Sequence, residues 1–492
     1  MKKGAIIIIA STVVAMILLA SMVIGALGIG ATLIANKPEN VAAAAIKGTM
    51  DGLLDRKEIK PLLNTLSKGS ITASVSDIMY EGEDMMDGFE VSGKVYFSEA
   101  KKSLMIEDLI IQQEANKLQG DVYISPELAY VYEQNVLDGA YGAEFGRLTE
   151  EFKNSIFAYN SGSEYAIDYE SYEEIVDMLE IADQAMLLAN DEKMQKEAEK
   201  VSTELYTKAW KIACDNFKFD SENGEVRIDG ELENVRVISI IVDADGLSAA
   251  VREYYEFLST DDSMVEFLEK YEDELSVLTD PFLSNGGKSF AETYKEGLDE
   301  LGENLDDLCH EIEYSMEDEN LTIRVMTPVI GSKLVKLEII AADQEIFSLE
   351  IGMKGIKNTN KITVTVYEEK FVYEITQDTI TAFDCYLAFG ENRIELELDR
   401  SRDEYRLFVR NNGETSSVIR GQLTKKGDTI TITVDNVLTN IGYRDDQYDC
   451  NISVTLDQND KIPAAPKDYV TISGITEKDI EKWEKNAEKF DN

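Results

Sequence analysis

The sequence predicts an α+β fold: an N-terminal transmembrane helix, then a long curved antiparallel sheet covered by helices. Three patterns lead to this prediction. The segment Gly4–Ala35 contains no charged side chain, and about 20 apolar residues are enough to cross a bilayer as a helix. Apolar residues recur at helical spacing from Tyr172 to Phe217. From Leu321 to Ile472 they alternate with polar residues, as in a sheet that is wet on one side.

We interpret the N-terminal run as an uncleaved membrane anchor. Lys2 and Lys3 precede it, so the positive-inside rule leaves the N-terminus in the cytoplasm and the rest of the chain outside. The alternative is a cleaved signal peptide, for which Ala26-Leu27-Gly28 offers small residues around a cleavage site. Both interpretations place the bulk of the chain on the extracytoplasmic side of the cell membrane, and the sequence does not decide between them.

The remaining patterns divide the chain into five segments. Residues 1–36 are the anchor, 37–160 a helix plus antiparallel strands, and 161–320 a mainly helical region with a central hairpin and strand. Residues 321–475 are an antiparallel sheet that completes the fold, and 476–492 a C-terminal helix. The order of a helix followed by a strand meander occurs twice, which leaves open two related halves.

Local signals set four element boundaries. The sequence predicts an N-cap for a helix through Ile156, a hairpin turn, a turn from strand to helix, and a capped C-terminal helix. In chain order, the residues expected there are Thr149, Asn223-Gly224, Asp243–Gly246 and Thr476 with Asp479.

The charge of the chain limits its partners. It carries 95 acidic and 48 basic residues, for a net charge of -47. Such a field opposes nucleic-acid binding, which depends on clustered lysine and arginine. The ordinary explanation of this acidic excess is a well-solvated surface on an exported protein. The more specific explanation is that the acidic residues attract calcium. We expect no cofactor, and keep only a weak calcium site open at Asp261-Asp262 and Glu317–Asn320.

The four cysteines leave the disulfide status open. The count is even and no pair has CxxC spacing, so bridges and small buried residues are both compatible with the sequence. Cys385 and Cys450 fall in strand-like segments and are the favoured pair, whereas Cys214 and Cys309 fall in helical ones.

A catalytic constellation is missing from the sequence. His310 is the only histidine, so a triad or dyad would have to use it, and the adjacent Cys309 points to a different side of a helix. We expect His310 to be a partly buried helix residue. Gly287-Lys288-Ser289 ends like a phosphate loop, but Phe282 occupies the position of the first glycine, so this segment predicts a turn before a helix. We predict no catalytic, cofactor-binding or metal-binding residue.

The architecture from Val41 to Asn492 resembles the extracytoplasmic half-barrel proteins of the lipoprotein-localisation type. It shares with them a helix followed by a one-sided antiparallel meander. The ending, with a strand, a proline-bearing break and a short acidic helix, resembles membrane-anchored surface proteins of Gram-positive anaerobes. The first resemblance implies lipid acyl chains held between sheet and helices. Neither rests on a motif, so neither assigns a functional residue.

These observations favour a non-enzymatic, single-pass envelope protein that is a structural or protein-interaction scaffold. One alternative is a half-barrel that binds a lipid or apolar ligand between its sheet and helices, beside residues such as Met178, Met186 and Ala189. Another is an enzyme that uses paired carboxylates on cell-wall polymer. The expected partners are the membrane, through the N-terminal helix, and a lipid or an envelope protein.

Overall fold

The structure is a computed structural model. It describes residues 37–54, 60–85, 88–113, 116–228, 231–272, 275, 288–316, 320–329, 333–353, 359–439, 441 and 446–490. The predicted anchor in residues 1–36 lies outside these ranges. Within them, no helix combines the length and the apolar character needed to span a membrane.

The described chain contains both helices and strands. The helices are α1 Pro38–Leu54, α2 Lys60–Lys68, α3 Leu148–Lys153, α4 Tyr169–Asn190, α5 Glu192–Asn216, α6 Ala244–Thr260, α7 Ser263–Lys270, α8 Phe290–Glu303, α9 Leu305–Ser315 and α10 Glu477–Phe490, with a 3₁₀ turn at Ile472–Gly474. The strands are β1 Ser70–Tyr80, β2 Glu83–Asp84, β3 Glu90–Ser98, β4 Ser103–Gln113, β5 Asn116–Ile124, β6 Leu128–Glu133, β7 Gly139–Glu144, β8 Lys218–Ile228, β9 Glu231–Val242, β10 Leu321–Pro328, β11 Lys336–Ala341, β12 Gln344–Met353, β13 Thr359–Val366, β14 Glu369–Asp378, β15 Ala382–Phe389, β16 Asn392–Asp399, β17 Glu404–Asn411, β18 Glu414–Lys426, β19 Thr429–Thr439, β20 Asp446–Asp457 and β21 Val470–Thr471.

This is an α+β protein with a large, mostly antiparallel sheet, as the sequence predicts. The chain forms two compact units. Of the described residues, the first unit contains those within 37–55, 192–376 and 385–393, and the second contains those within 56–191, 377–384 and 394–490. Each unit takes its residues from segments far apart in the sequence.

In the first unit, seven strands pair antiparallel in the order β8-β9-β10-β11-β12-β13-β14. Chain neighbours are sheet neighbours throughout, although helices α6 to α9 intervene between β9 and β10. Helix α1 packs on β8, β9 and β10, and α5 packs on α6. Ile238, Ile240 and Ile323 are fully buried between this sheet and the helices. The larger buried cluster of the unit therefore lies on one face of its sheet, and a smaller cluster that includes Val235 and Met326 lies on the other.

In the second unit, strands pair in the order β17-β18-β19-β20-β1-β3-β4-β5-β6-β7, and β21 adds a short parallel edge next to β7. Helix α2 packs on β1, β3 and β20. Gly69 directly follows this helix, and its amide makes the last helical hydrogen bond, to the Thr65 carbonyl. A Cβ at this position would lie 2.0 Å from the Asp457 carbonyl oxygen, so the close approach to β20 requires glycine. The sequence predicts this ending at Lys68-Gly69.

Several local predictions are confirmed. The sequence predicts a break at Asn190-Asp191 within the long helical pattern, and in the structure this break separates α4 from α5. Asp243 caps α6, with its carboxylate accepting from the Gly246 amide at 2.8 Å. Thr476 precedes α10, and its amide donates to Asp479 at 2.8 Å. Short-range polar chemistry therefore sets these helix ends.

Two local predictions are wrong. Thr149 lies inside α3 and does not cap it. The N-terminus of α3 is instead capped by Asp183 of α4, whose carboxylate accepts from the Leu148 and Thr149 amides. Asn223-Gly224 lies within β8, opposite Arg236 and Val235 of β9, so it forms no hairpin turn. The register pairs Ile228 with Glu231, which places the connection at residues 229–230, outside the described ranges.

Candidate functional site

One face of the sheet in the first unit carries an apolar row that crosses several strands. Val325 of β10 lies opposite Leu337, and Leu337 lies opposite Leu349 of β12. Leu349 lies opposite Val364, which lies opposite Phe371 of β14. Residues directly opposite in an antiparallel pair share a face. The core face therefore continues without interruption from β10 to β14.

Helices cover only part of this face. Ala42, Ala45 and Ile46 of α1 belong to the same buried cluster as Ile323 and Ile240 of the sheet. Ala42 and Ala45 are fully buried, and such small side chains allow the helix backbone to approach the strands closely. Along the covered strands, the space between sheet and helix is therefore filled by the protein's own side chains.

Beyond β12 the same face opens to solvent. Four apolar side chains there are exposed, and we call them the strand patch: Val366, Phe371, Leu387 and Phe389. The rings of Phe371 and Phe389 contact each other with centroids 4.6 Å apart and planes tilted by 32°. Leu387 lies two residues from Phe389 in β15, hence on the same side of that strand, and is 51 % exposed. The patch thus spans three strands, and the exposed side chain of Glu369 lies beside it, opposite Val366.

The opposite face of these strands carries a polar network. Glu374 accepts a hydrogen bond from the Tyr386 hydroxyl at 2.6 Å and lies 3.7 Å from the Lys361 ammonium. The Arg393 guanidinium stacks 3.6 Å from the centre of the Tyr386 ring. Burial and the bond to Glu374 raise the pKa of Tyr386, so it stays neutral and donates. These polar side chains lie on the face opposite the strand patch.

The chemistry available at the strand patch is apolar contact. None of its four side chains is titratable or bears a hydrogen-bonding group. Side chains of this size at these exposures present on the order of 300 Å², a size at which exposed patches on monomers are often functional. Such a surface recognises an apolar partner surface by shape and burial rather than by charge.

The residues that sequence analysis considered for catalysis do not form a site. His310 is exposed on α9, where its Nδ1 lies 3.8 Å from Glu313, so the expectation of partial burial is wrong. Cys309 is fully buried and faces the other side of the helix, as predicted. Trp210 is buried in the core of the first unit.

The candidate disulfide is absent. The sequence left the disulfide status open and favoured Cys385 with Cys450; Cys450 is a free thiol, as are Cys214 and Cys309, so that bridge does not form. Burial raises the pKa of Cys214 to about 12, with a further contribution from Glu39. That cysteine is therefore a neutral, half-buried side chain in the first unit, and a neutral thiol is a poor nucleophile.

The candidate ligand residues do not line a sheet–helix interface. Met178 of α4 is 59 % exposed, so it does not face a core. The side chains of Met186 and Ala189 lie outside the described part of α4. The expectation that Met178 lines an apolar space between sheet and helices is therefore wrong.

Two buried carboxylates in the second unit were missed by sequence analysis. Asp183 accepts from the amides of Gly146, Leu148 and Thr149 at 2.6, 3.1 and 3.0 Å. Glu151 is 2 % exposed, and its Oε2 accepts from the Ile472 amide at 3.3 Å. Both carboxylates are occupied in joining α3 to α4 and to the 3₁₀ turn.

The environment of Glu151 disfavours its charge. Burial raises its pKa, and the negative charges of Glu144 and Asp183 act in the same direction, against the Ile472 amide and Arg147. Its Oε1 is buried and finds no hydrogen-bond partner among the described residues. Glu151 is therefore a strained structural carboxyl group.

The loops considered for calcium are only partly described. Asp261 accepts from the amide of Ser263 at 3.0 Å, which is a local turn at the start of α7. Glu317, Asp318 and Glu319 lie outside the described ranges. Among the described side chains, no group of three or more His, Cys, Asp or Glu is placed to hold a metal ion.

Comparison with protein families, curated proteins and solved structures finds no match to this chain.

Proposed function

We propose that this chain is a non-enzymatic envelope protein that is held in the membrane by its N-terminal helix and acts outside it as a protein-interaction scaffold. The strand patch carries this proposal. The face that builds the core of the first unit continues past its helical cover, leaving Phe371, Leu387 and Phe389 in solvent. Aromatic side chains at such a surface are typical anchors of protein interfaces.

Packing under the covered strands favours a protein partner over a lipid held between sheet and helices. Ala42 and Ala45 are fully buried in the same cluster as Ile323, so helix α1 itself occupies the space that an acyl chain would need. The strand patch is an open face, on which an acyl chain would leave much of its own surface in water. When a flat apolar protein surface binds the patch, both the patch and the partner's surface lose their contact with water.

The carboxylates support the non-enzymatic part of the proposal. Both carboxylate oxygens of Asp183 accept hydrogen bonds from three backbone amides, and buried Glu151 accepts one from the Ile472 amide. A pair for glycoside hydrolysis needs one carboxyl group free to donate a proton and another free to act on the opposite side of the sugar. These two groups are instead committed to the fold.

Photocrosslinking in the native membrane tests the proposal. Benzoylphenylalanine at Leu387 of the full chain samples the strand patch, and the same label at Leu308, an exposed position on α9, is the matched control. We expect a discrete protein adduct from position 387 that is missing from position 308 and lost when Phe371→Ser is added. Lipid adducts at 387 would favour the half-barrel alternative, and equal labelling at both positions would contradict a binding surface.

A further inference from the structure

Helix α2 presents an apolar face to solvent. Thr65 is fully buried against the sheet of the second unit, and its hydroxyl donates to the Pro61 carbonyl at 2.9 Å. Leu62, Leu63 and Leu66 lie on another side of the helix, because Leu66 is four residues from Leu62 and three from Leu63, and side chains at these spacings are neighbours on a helix. They are 45, 39 and 45 % exposed. Three leucines on a helix of nine residues thus face away from the core that holds it.

The charge of α2 is opposite to that of the chain. The helix carries Lys60 and Lys68 and contains no acidic residue, whereas the whole chain has a net charge of -47. Beside the start of β1, Asp460 is paired with Lys94 at 2.5 Å and accepts from Ser70. Leucines flanked by lysines match a surface that is apolar below and anionic above, as the headgroup region of a bilayer is.

The chain also places α2 close to the predicted anchor. Only residues 36–59 separate the end of the uncharged run Gly4–Ala35 from Lys60. Seventeen of them form α1. With that helix at 1.5 Å per residue and the rest fully extended, α2 starts within about 50 Å of the point where the run ends. A tether of this length keeps the leucines at high local concentration next to the membrane.

We propose that the leucine face of α2, formed by Leu62, Leu63 and Leu66, lies on the anionic lipid surface of the membrane that holds the N-terminal run. This inference rests on the anchor in the proposed function and adds a second, peripheral contact to it. The contact fixes the orientation of the second unit relative to the bilayer plane.

Quenching of tryptophan by brominated lipid tests this contact. The full chain with Leu63→Trp is reconstituted in nanodiscs of phosphatidylcholine and phosphatidylglycerol, with or without bromine on the acyl chains. Met178→Trp on α4, also exposed and in the second unit, is the matched control, and the wild-type signal of Trp210 and Trp483 is subtracted. We expect the added emission at position 63 to fall by about half in brominated discs. Emission at position 178 is expected to stay unchanged.

The outcomes separate the anchor from the leucine face. A chain that does not co-elute with the nanodiscs overturns the anchor, and the inference with it. Co-elution with unquenched emission at position 63 overturns the inference alone. Blue-shifted but unquenched emission means that a second copy or the chain itself covers the leucines, which also overturns it.

Two further variants secure the result. If Leu63→Trp does not fold, as judged by circular dichroism, Leu66→Trp reports on the same face. Lys68→Gln added to the reporter chain is expected to reduce the quenching in discs with phosphatidylglycerol, because each lysine near an anionic surface adds to the attraction. Unchanged quenching in this variant would overturn the anionic part of the proposal.

Discussion

The covered and open parts of one sheet face differ in what lies over them, not in what they are made of. On β10 and β11 the face carries Ile323 and Leu337, which helices bury. On β14 and β15 it carries Phe371 and Phe389, which remain in solvent. Apolar alternation serves folding in the first case and is available for binding in the second. The comparison teaches that helical cover, rather than strand composition, assigns the role of a strand.

The largest effect is expected under the helices. Ile323→Ala removes buried methyl groups at a fully buried position and should lower the free energy of unfolding by about 2–5 kcal/mol. Chemical denaturation followed by the fluorescence of Trp210, which lies in the same cluster, measures it. Ile323→Val is the milder control, at about 0.5–1.5 kcal/mol. A loss under 1 kcal/mol for the alanine variant would mean that this part of the face is not packed.

A second change tests whether the covered interface has spare room. Ala45→Leu adds volume where α1 meets the sheet and should cost about 1–3 kcal/mol, since overpacking strains a filled core. Ala44→Leu, at an exposed position of the same helix, should change stability by about 0.5 kcal/mol at most. If both variants were equally stable in urea unfolding, the interface would contain space for a ligand. That result would support the lipid-binding alternative.

Glu151 contrasts with both regions, because it is buried while its Oε1 has no hydrogen-bond partner among the described residues. Its folded-state pKa lies above the ordinary value near 4.5 because of burial, so folding favours the protonated form. That preference contributes fully at low pH and is lost as the pH rises through the raised pKa. Glu151→Gln should therefore raise the thermal midpoint relative to wild type at neutral pH, and the gain should vanish towards acid pH. A gain that grows on acidification would contradict this account.

The smallest change in stability is expected in the strand patch. Phe371→Ser should lower the free energy of unfolding by about 1 kcal/mol or less, because the ring is already partly in water. The same variant should remove the protein crosslink from position 387. A loss as large as that of Ile323→Ala would show that the open part of the face belongs to the core.

The fold class and many element ends follow from the sequence because their causes are local. Alternation of period two predicts the strands after Leu321, and Asn412-Gly413 turns β17 into β18 with φ of 51° and 79°, the left-handed values that this pair favours. Helical periodicity predicts α4 and α5 with the break between them.

The missed features depend on residues that are distant in the chain. The cap of α3 comes from Asp183, more than 30 residues beyond Thr149, so no local pattern announces it. Asn223-Gly224 carries a turn signal, but pairing along β9 holds it in a strand. The strand patch is invisible for the same reason, since alternation marks an apolar side without saying which strands the helices reach. One signal was available: the sequence predicts more strands than its helices are long enough to cover, so some apolar strand faces must stay uncovered.

Hydroxyl-radical footprinting tests most directly the claim that the open part of the face is a protein-binding surface. Oxidation of Phe371, Leu387 and Phe389 is compared by mass spectrometry between the full chain in its own membranes and the purified chain in lipid nanodiscs, with buried Ile323 as the internal standard. The account predicts protection of the three patch residues in the native membrane and oxidation in the nanodiscs, with Ile323 protected in both. Equal oxidation in both settings, or protection by lipid alone, would contradict it.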